Sequence, residues 1–200
     1  CLKNGFITFG SFNAMPKISP SCVKLWASAL MAVPGSSLVV KNKSLADASV
    51  RDSLLAAFSE EGVAPERLRL LHHIPELSSH LAAYGMVDVA LDSFPYHGTT
   101  TTCEALWMGV PTLSLLGDRH SSRVGLSLMS TVGLSCLACD SPGTFASTAE
   151  AFSADFNSLA SLRASLRGAM SASPLCDSKS FIMNLETRLL RILGRQARGR

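Results

Sequence analysis

The alternation of short apolar runs with helix-length amphipathic segments constrains this chain of 200 residues more than any other feature. This alternation is typical of an α/β protein, in which helices connect the parallel strands of one sheet. The run V-D-V-A-L at 87–91 is the strongest, and it is apolar enough for a strand that is covered on both faces. The predicted strands are residues 7–12, 37–41, 67–71, 87–91, 111–115 and 135–137.

Capping residues and glycines delimit the helices between these strands. Each of the first five predicted helices has a polar capping residue or a proline at its start, or a glycine near its end. From residue 144 onward the pattern is helical only. The predicted helices are residues 19–33, 47–58, 77–84, 100–108, 121–131, 144–152, 158–170 and 181–193. We therefore predict a doubly wound, Rossmann-like parallel sheet over 1–143 and a C-terminal helical extension of the same lobe over 144–200.

Composition excludes several classes of protein. With 47% hydrophobic and 16% charged residues, the chain can form a core and is not expected to be disordered. No apolar run approaches the roughly 20 residues that cross a bilayer, so no membrane partner is expected. The net charge of +3 is too small for a surface dedicated to nucleic acid. A basic tail over 188–200 is the weakest alternative, because its arginines are not interleaved with aromatic residues.

The six cysteines are scattered and do not form a disulfide framework. Cys136 and Cys139 form a C-x-x-C, but no second pair follows at zinc-site spacing, so no metal site is expected. Reduced thiols indicate a reducing compartment, and we expect a cytoplasmic or nucleocytoplasmic protein. The first residue is Cys1 instead of Met, from which we expect a fragment of a longer protein.

The segment that follows the run at 87–91 is the strongest candidate for a binding site. Gly98 allows the backbone to approach a ligand closely, and Thr99–Thr102 then open a helix. A helix N-terminus presents unpaired N–H groups and partial positive charge, which suit a phosphate group. Simple helix capping would require one threonine and would leave three unexplained. Glu104 follows closely and would repel a diphosphate unless it is directed at something neutral, such as a ribose hydroxyl.

Several motifs together resemble a known family. They are H-G-T-T-T-T-C-E-A-L-W-M-G-V-P-T, the preceding D-V-A-L-D-S-F-P-Y, G-S-F-N-A-M-P-K-I near the start, and S-P-L-C-D near residue 175. The chain resembles the C-terminal catalytic lobe of protein O-GlcNAc transferases over nearly its whole length. The resemblance is greatest to bacterial and algal members with tetratricopeptide repeats ahead of the catalytic region. It implies a GT-B fold, of which this chain would be the second of two lobes.

The resemblance also implies roles for individual residues. Lys17 matches the lysine that contacts the donor diphosphate, and we expect it to be the catalytic residue of this lobe. Glu104 matches the acidic residue that binds ribose, and His80 matches the histidine that stacks on uracil. The residues expected to hold the diphosphate are Lys17, Gly98, Thr99, Thr100 and Thr101.

The activity implied by the resemblance is inverting transfer of N-acetylglucosamine from UDP-GlcNAc to serine or threonine of proteins. No D-x-D motif occurs in the sequence, so neither a metal nor a cofactor is expected beyond the donor substrate. Protein acceptors would be held through repeats upstream. Two alternatives stay open: a GDP-fucose-dependent, Spindly-like O-fucosyltransferase and a non-catalytic nucleotide-binding or docking module. The isolated chain is expected to be inactive, because half of the cleft and the general base belong to the other lobe.

Overall fold

One six-stranded parallel sheet organises the protein. The computed structural model describes residues 1–198, with side chains through residue 194; the rest of the basic tail, Arg195 included, lies outside the described side chains. The strand order is β3-β2-β1-β4-β5-β6, which confirms the predicted doubly wound sheet. The strands are β1 (Thr8–Ser11), β2 (Ser37–Lys41), β3 (Leu68–Leu71), β4 (Val89–Leu91), β5 (Thr112–Leu115) and β6 (Ala138–Cys139).

Eight α-helices are described, and short 3₁₀ turns join several of them to the strands. Each begins close to the polar residue or proline that the sequence provides; Ser19, for example, accepts the N–H of Cys22 at 3.1 Å. The helices are α1 (Pro20–Ala32), α2 (Ala48–Glu60), α3 (Leu77–Ala82), α4 (Thr100–Trp107), α5 (Val124–Thr131), α6 (Pro142–Ala154), α7 (Phe156–Ser171) and α8 (Ser178–Arg198).

The main core lies between the sheet and the helices α1, α2 and α6. Trp26, Phe9, Phe58 and Phe145 are all fully buried there. Each fully buried side chain of this size contributes roughly 1.5–3 kcal/mol relative to an exposed one. The indole N–H of Trp26 donates to the backbone oxygen of Asp92 at 2.8 Å, so the core also anchors the segment after β4.

The last strand differs from its prediction. Residues Ser135–Leu137, predicted as a strand, form a 3₁₀ turn, and the strand follows at Ala138–Cys139. Pairing with β5 determines this register, because Ser114 lies opposite Ala138 and Leu115 opposite Cys139. The apolar residues in this part of the sequence do not indicate which of them pair with β5. The six cysteines are free, as predicted, but only Cys22 and Cys139 are buried.

Helix α8 lies apart from the core. It runs over Ser178–Arg198, longer at both ends than the predicted 181–193, and its described side chains are all exposed. The exposed apolar residues include Phe181, Leu185 and Leu189. Within the described residues, no helix combines the length and the apolar character that crossing a bilayer requires.

Candidate functional site

The candidate site lies where the strand order reverses. Strands β1 and β4 are neighbours in space, with Phe9 opposite Val89, but the chain winds away from them in opposite directions. In sheets of this kind, ligands bind in the crevice beyond the carboxyl ends of those two strands. Lys17 follows β1 and His97 follows β4, and the Lys17 ammonium donates to the His97 backbone oxygen at 2.9 Å. The two segments singled out in the sequence therefore meet at this crevice.

The N-terminus of α4 offers several unused donors. Thr99 is the N-cap residue, yet its side chain makes no capping hydrogen bond. Within the described residues, neither the hydroxyls of Thr99 and Thr100 nor the N–H groups of Thr99, Thr100 and Thr101 have a hydrogen-bond partner. The hydroxyl of Thr101 donates to Asn13 Oδ1 at 2.9 Å, which ties the helix start to the segment after β1. This arrangement is suited to an anion and is more than a helix cap requires.

Lys17 adds a full positive charge to that helix end. Its ammonium lies 4.4 Å from the centre of the Tyr96 ring, in addition to its hydrogen bond with His97. Partial burial lowers the pKa of Lys17, and the charge of Asp92 opposes that shift. An ammonium has three N–H donors, so two are left for a ligand in a partly desolvated crevice.

Gly98 is required by close packing. Its backbone is not left-handed, but a Cβ there would lie 2.3 Å from Thr101 Oγ1 and 2.7 Å from Asn13 Oδ1. We expect Gly98→Ala to displace Thr101 and to weaken binding of the predicted diphosphate ligand by the full-length protein about tenfold. The same change should cost about 1–3 kcal/mol of unfolding free energy, because overpacking forces neighbours to move. Calorimetric titration with a nucleoside diphosphate and urea denaturation measure the two effects.

Gly168→Ala is the matched control for that change. A Cβ at Gly168, within α7, would meet nothing within 4 Å. Alanine favours a helix interior over glycine by roughly 0.5–1 kcal/mol, so this variant should be slightly more stable and bind the nucleoside diphosphate with unchanged affinity. Unchanged affinity in Gly98→Ala would contradict the close-packing requirement at that position.

A second cleft adjoins the N-terminus of α4 and is lined by His80, one of the two other predicted site residues. It encloses about 480 Å³, and its lining includes Phe12, His80 and Thr101. His80 Nε2 lies 3.0 Å from Glu104 Oε2, and the hydroxyl of Tyr84 donates to the same oxygen at 3.2 Å. The structure thus brings together His80 and Glu104, for which the resemblance implies separate contacts with base and ribose. Those two roles stay predictions.

Asp92, which is not among the predicted site residues, supports the segment that leads into α4. Its carboxylate is fully buried at the end of β4, and burial raises its pKa against the hydrogen bonds and charge around it. Asp92 Oδ1 accepts the backbone N–H groups of Ser93 at 2.9 Å and Gly98 at 2.7 Å. Asp92 Oδ2 accepts the Ser114 hydroxyl at 2.8 Å. One carboxylate therefore joins the end of β4, strand β5 and the start of α4.

His97 is the second supporting residue, and it too is fully buried. Its Nδ1 accepts the N–H of Gly125 at 3.0 Å, so the ring proton lies on Nε2 and is donated to the Leu115 oxygen at 2.8 Å. The ring thereby fixes the backbone oxygen that holds Lys17. A signal was present in the sequence, since a carboxylate directly follows the most apolar strand and a histidine directly precedes Gly98.

The sequence matches the model of one protein family and several named proteins. The model of glycosyl transferase family 41 matches residues 1–185. A rice protein named probable UDP-N-acetylglucosamine–peptide N-acetylglucosaminyltransferase SPINDLY is 46% identical over 186 residues, 93% of this chain and 20% of that protein. The Caenorhabditis elegans UDP-N-acetylglucosamine–peptide N-acetylglucosaminyltransferase is 28% identical over 189 residues, 94% of this chain and 16% of that protein. The chain thus spans about a fifth of the length of these relatives.

Solved structures agree with this match. A mutant of the O-GlcNAc transferase of Thermobaculum terrenum superposes with a TM-score of 0.88 at 38% identity, covering 94% of this chain and 36% of that one. Anabaena HepE, solved with UDP and glucose, superposes with a TM-score of 0.61 at 13% identity, covering 92% of this chain and 49% of that one. The second likeness concerns the fold alone.

Proposed function

The chain belongs to glycosyl transferase family 41 and has the fold of the C-terminal lobe of a GT-B enzyme; from this premise, we propose that it binds the nucleotide-sugar donor of a protein O-GlcNAc transferase. The proposed enzyme transfers N-acetylglucosamine from UDP-GlcNAc to serine or threonine of proteins, with inversion and without a metal. One observation carries the proposal: the Lys17 ammonium lies beside the free N-terminus of α4, at the crevice between β1 and β4.

Departure of UDP from the sugar requires stabilisation of negative charge on the diphosphate. Preorganised donors are the usual means, and they act most strongly where water is excluded. The amide groups of Thr99–Thr101 and the partial positive charge of α4 supply several such donors at once. Lys17 supplies the full charge that a metal would otherwise provide. The lack of a D-x-D motif in the sequence is consistent with this arrangement.

The nucleoside would occupy the cleft that contains His80. In this proposal the His80 ring stacks on uracil, and Glu104 accepts hydrogen bonds from the ribose. Glu104 Oε2 is engaged by His80 and Tyr84, while Oε1 has no partner among the described residues. A carboxylate aimed at neutral hydroxyls in this way avoids the repulsion that a diphosphate would cause.

The acceptor protein and the general base would come from outside these residues. The relatives are about five times as long as the chain, and a GT-B enzyme forms its cleft from two lobes. We therefore expect the 200-residue chain to bind UDP but to transfer no sugar by itself. Measurable glycosylation by this chain alone would contradict that expectation.

The choice of donor is tested by competition between nucleotides. The names of the rice and worm relatives both specify UDP-N-acetylglucosamine, which favours UDP-GlcNAc over GDP-fucose. We expect the full-length protein to bind UDP at least about tenfold more tightly than GDP in calorimetric titration. Labelled UDP-GlcNAc should modify protein acceptors, and EDTA should leave the rate unchanged.

Three other outcomes would each overturn part of the proposal. Tighter binding of GDP, with transfer from GDP-fucose, would establish the fucosyltransferase alternative. Binding of UDP without transfer by the full-length protein would indicate a docking module. Loss of activity in EDTA, restored by Mg²⁺ or Mn²⁺, would show that the diphosphate is stabilised by a metal and that Lys17 is insufficient.

A further inference from the structure

Lys41 is a buried cation that neither the family match nor the proposed function employs. It ends β2 beside the cleft that contains His80, and only 5% of it is exposed. Its ammonium is hydrogen-bonded to Nδ1 of His80 and lies 4.6 Å from the centre of the Phe12 ring. Among the described residues, no carboxylate forms an ion pair with it. Burial of a cation without a carboxylate partner costs free energy. The position of Lys41 therefore indicates that it has a role there.

The contact with Lys41 determines where His80 carries its proton. A lysine side chain in its charged form can only donate, so Nδ1 of His80 must accept. The ring proton is then on Nε2, from which it is donated to Glu104 Oε2 at 3.0 Å. The three side chains form one directed series of hydrogen bonds, from Lys41 through the neutral ring of His80 to Glu104.

This series also determines which part of His80 is available to a ligand. Both ring nitrogens are engaged, so a ligand can use only the ring face. The rings of Phe12 and Tyr84 flank His80 at centroid distances of 6.2 and 6.0 Å, and Tyr84 meets it edge-on. A flat heterocycle stacked on the remaining face would need no rearrangement of the ring.

We propose that Lys41 is a positioning residue of the donor site, which holds His80 in its neutral Nε2–H form with one ring face open to the base. Through His80 it also directs Glu104 towards the ribose. The proposal rests on the proposed function, since a base and a ribose must be the groups that occupy this cleft.

The charges around His80 explain why Lys41 matters. Glu104 faces the ring from α4 and accepts the hydrogen bond from Nε2. Tyr84 and Phe12 contribute no formal charge, and Glu76, on the helix of His80, is engaged with Ser78 and Ser79. Among the described residues, Lys41 is therefore the charged group that meets Nδ1. Burial lowers the pKa of Lys41, and the charge of Glu104 opposes that shift.

The protonation state of His80 can be measured without any nucleotide. In ¹⁵N-histidine-labelled chain, with His80→Gln used to assign the signal, we expect the ring proton on Nε2 and none on Nδ1. Lys41→Met should free Nδ1, so that the ring also adopts its Nδ1–H form, and Lys41→Arg should restore the native spectrum. A native ring protonated on Nδ1, or spectra unchanged in Lys41→Met, would overturn the proposal.

Nucleotide affinity provides the second measurement. In the full-length protein we expect Lys41→Met to weaken UDP binding about tenfold. Lys41→Arg should bind within about threefold of the native protein, because it retains the charge and the donor. Lys24→Met, at an exposed position of α1, is the control and should leave UDP affinity unchanged.

The two measurements separate two kinds of failure. A native protein that binds no UDP would contradict the proposed donor site, whatever the spectra show. A native protein that binds UDP, with the same affinity in Lys41→Met, would contradict only the role of Lys41. A purely structural role would lower the melting temperature of Lys41→Met and leave the tautomer of His80 unchanged.

Discussion

Lys17→Met in the full-length protein is expected to lower the turnover of sugar transfer by about 10²- to 10³-fold, the usual loss for one preorganised donor. Lys17 is the side chain that brings a full positive charge to the free end of α4. Its contribution should grow as the diphosphate departs, so turnover should fall more than UDP affinity. Methionine retains most of the length and apolar contact of the side chain and removes only the charge and the donors.

The matched control is Lys24→Met, because it makes the same substitution at an exposed lysine on α1. Steady-state kinetics with UDP-GlcNAc give kcat and KM for both variants, and thermal denaturation shows whether each is folded. Normal turnover in a folded Lys17→Met protein would exclude Lys17 from the reaction.

Asp92→Ala is expected to cost about 3 kcal/mol or more of unfolding free energy, because three buried donors lose their acceptor. The change leaves the N–H groups of Ser93 and Gly98 and the hydroxyl of Ser114 buried without their acceptor. Each unsatisfied buried group costs about 1–3 kcal/mol. The start of α4 should lose its position as well, so UDP binding should weaken together with stability.

Asp92→Asn separates the shape of this network from its charge. The amide oxygen can accept from Ser93 and Gly98, and the amide nitrogen can donate to the Ser114 oxygen. We therefore expect a smaller loss than in Asp92→Ala. Asp118→Ala, in the exposed loop after β5, is the control and should stay within about 0.5 kcal/mol of the native protein. Urea denaturation measures all three, and a loss below about 1 kcal/mol in Asp92→Ala would contradict the role of Asp92.

Local patterns account for what the sequence could predict about the fold. The capping residue Ser19, the proline after it and the glycine at 62 mark helix ends in the sequence itself, and all are found near those ends in the structure. Strand β2 has the predicted bounds because its apolar residues are flanked by polar ones. The order of the strands is a long-range property, and no local pattern indicates which strand lies beside β1.

The same distinction between local patterns and long-range contacts applies to the candidate site. Lys17 and Gly98–Thr101 could be identified from motifs, because each motif is continuous in the sequence. The series Lys41, His80 and Glu104 could not, because its members are 39 and 24 residues apart and meet only when β2, α3 and α4 assemble. For β6, the strand lies at Ala138–Cys139 only because β5 pairs with those residues.

The occupied nitrogens of His80 have a consequence for how such a lobe could diversify. A base can contact only the face of this ring. Pyrimidines and purines can both stack on that face, and stacking does not distinguish their edges. Discrimination between nucleotides would then depend on the walls of the cleft, such as residues 42–44 and 73–75. Those walls lie outside α4. A related protein could therefore acquire a different donor through changes at a few loop positions, while the residues proposed to bind the diphosphate stayed the same.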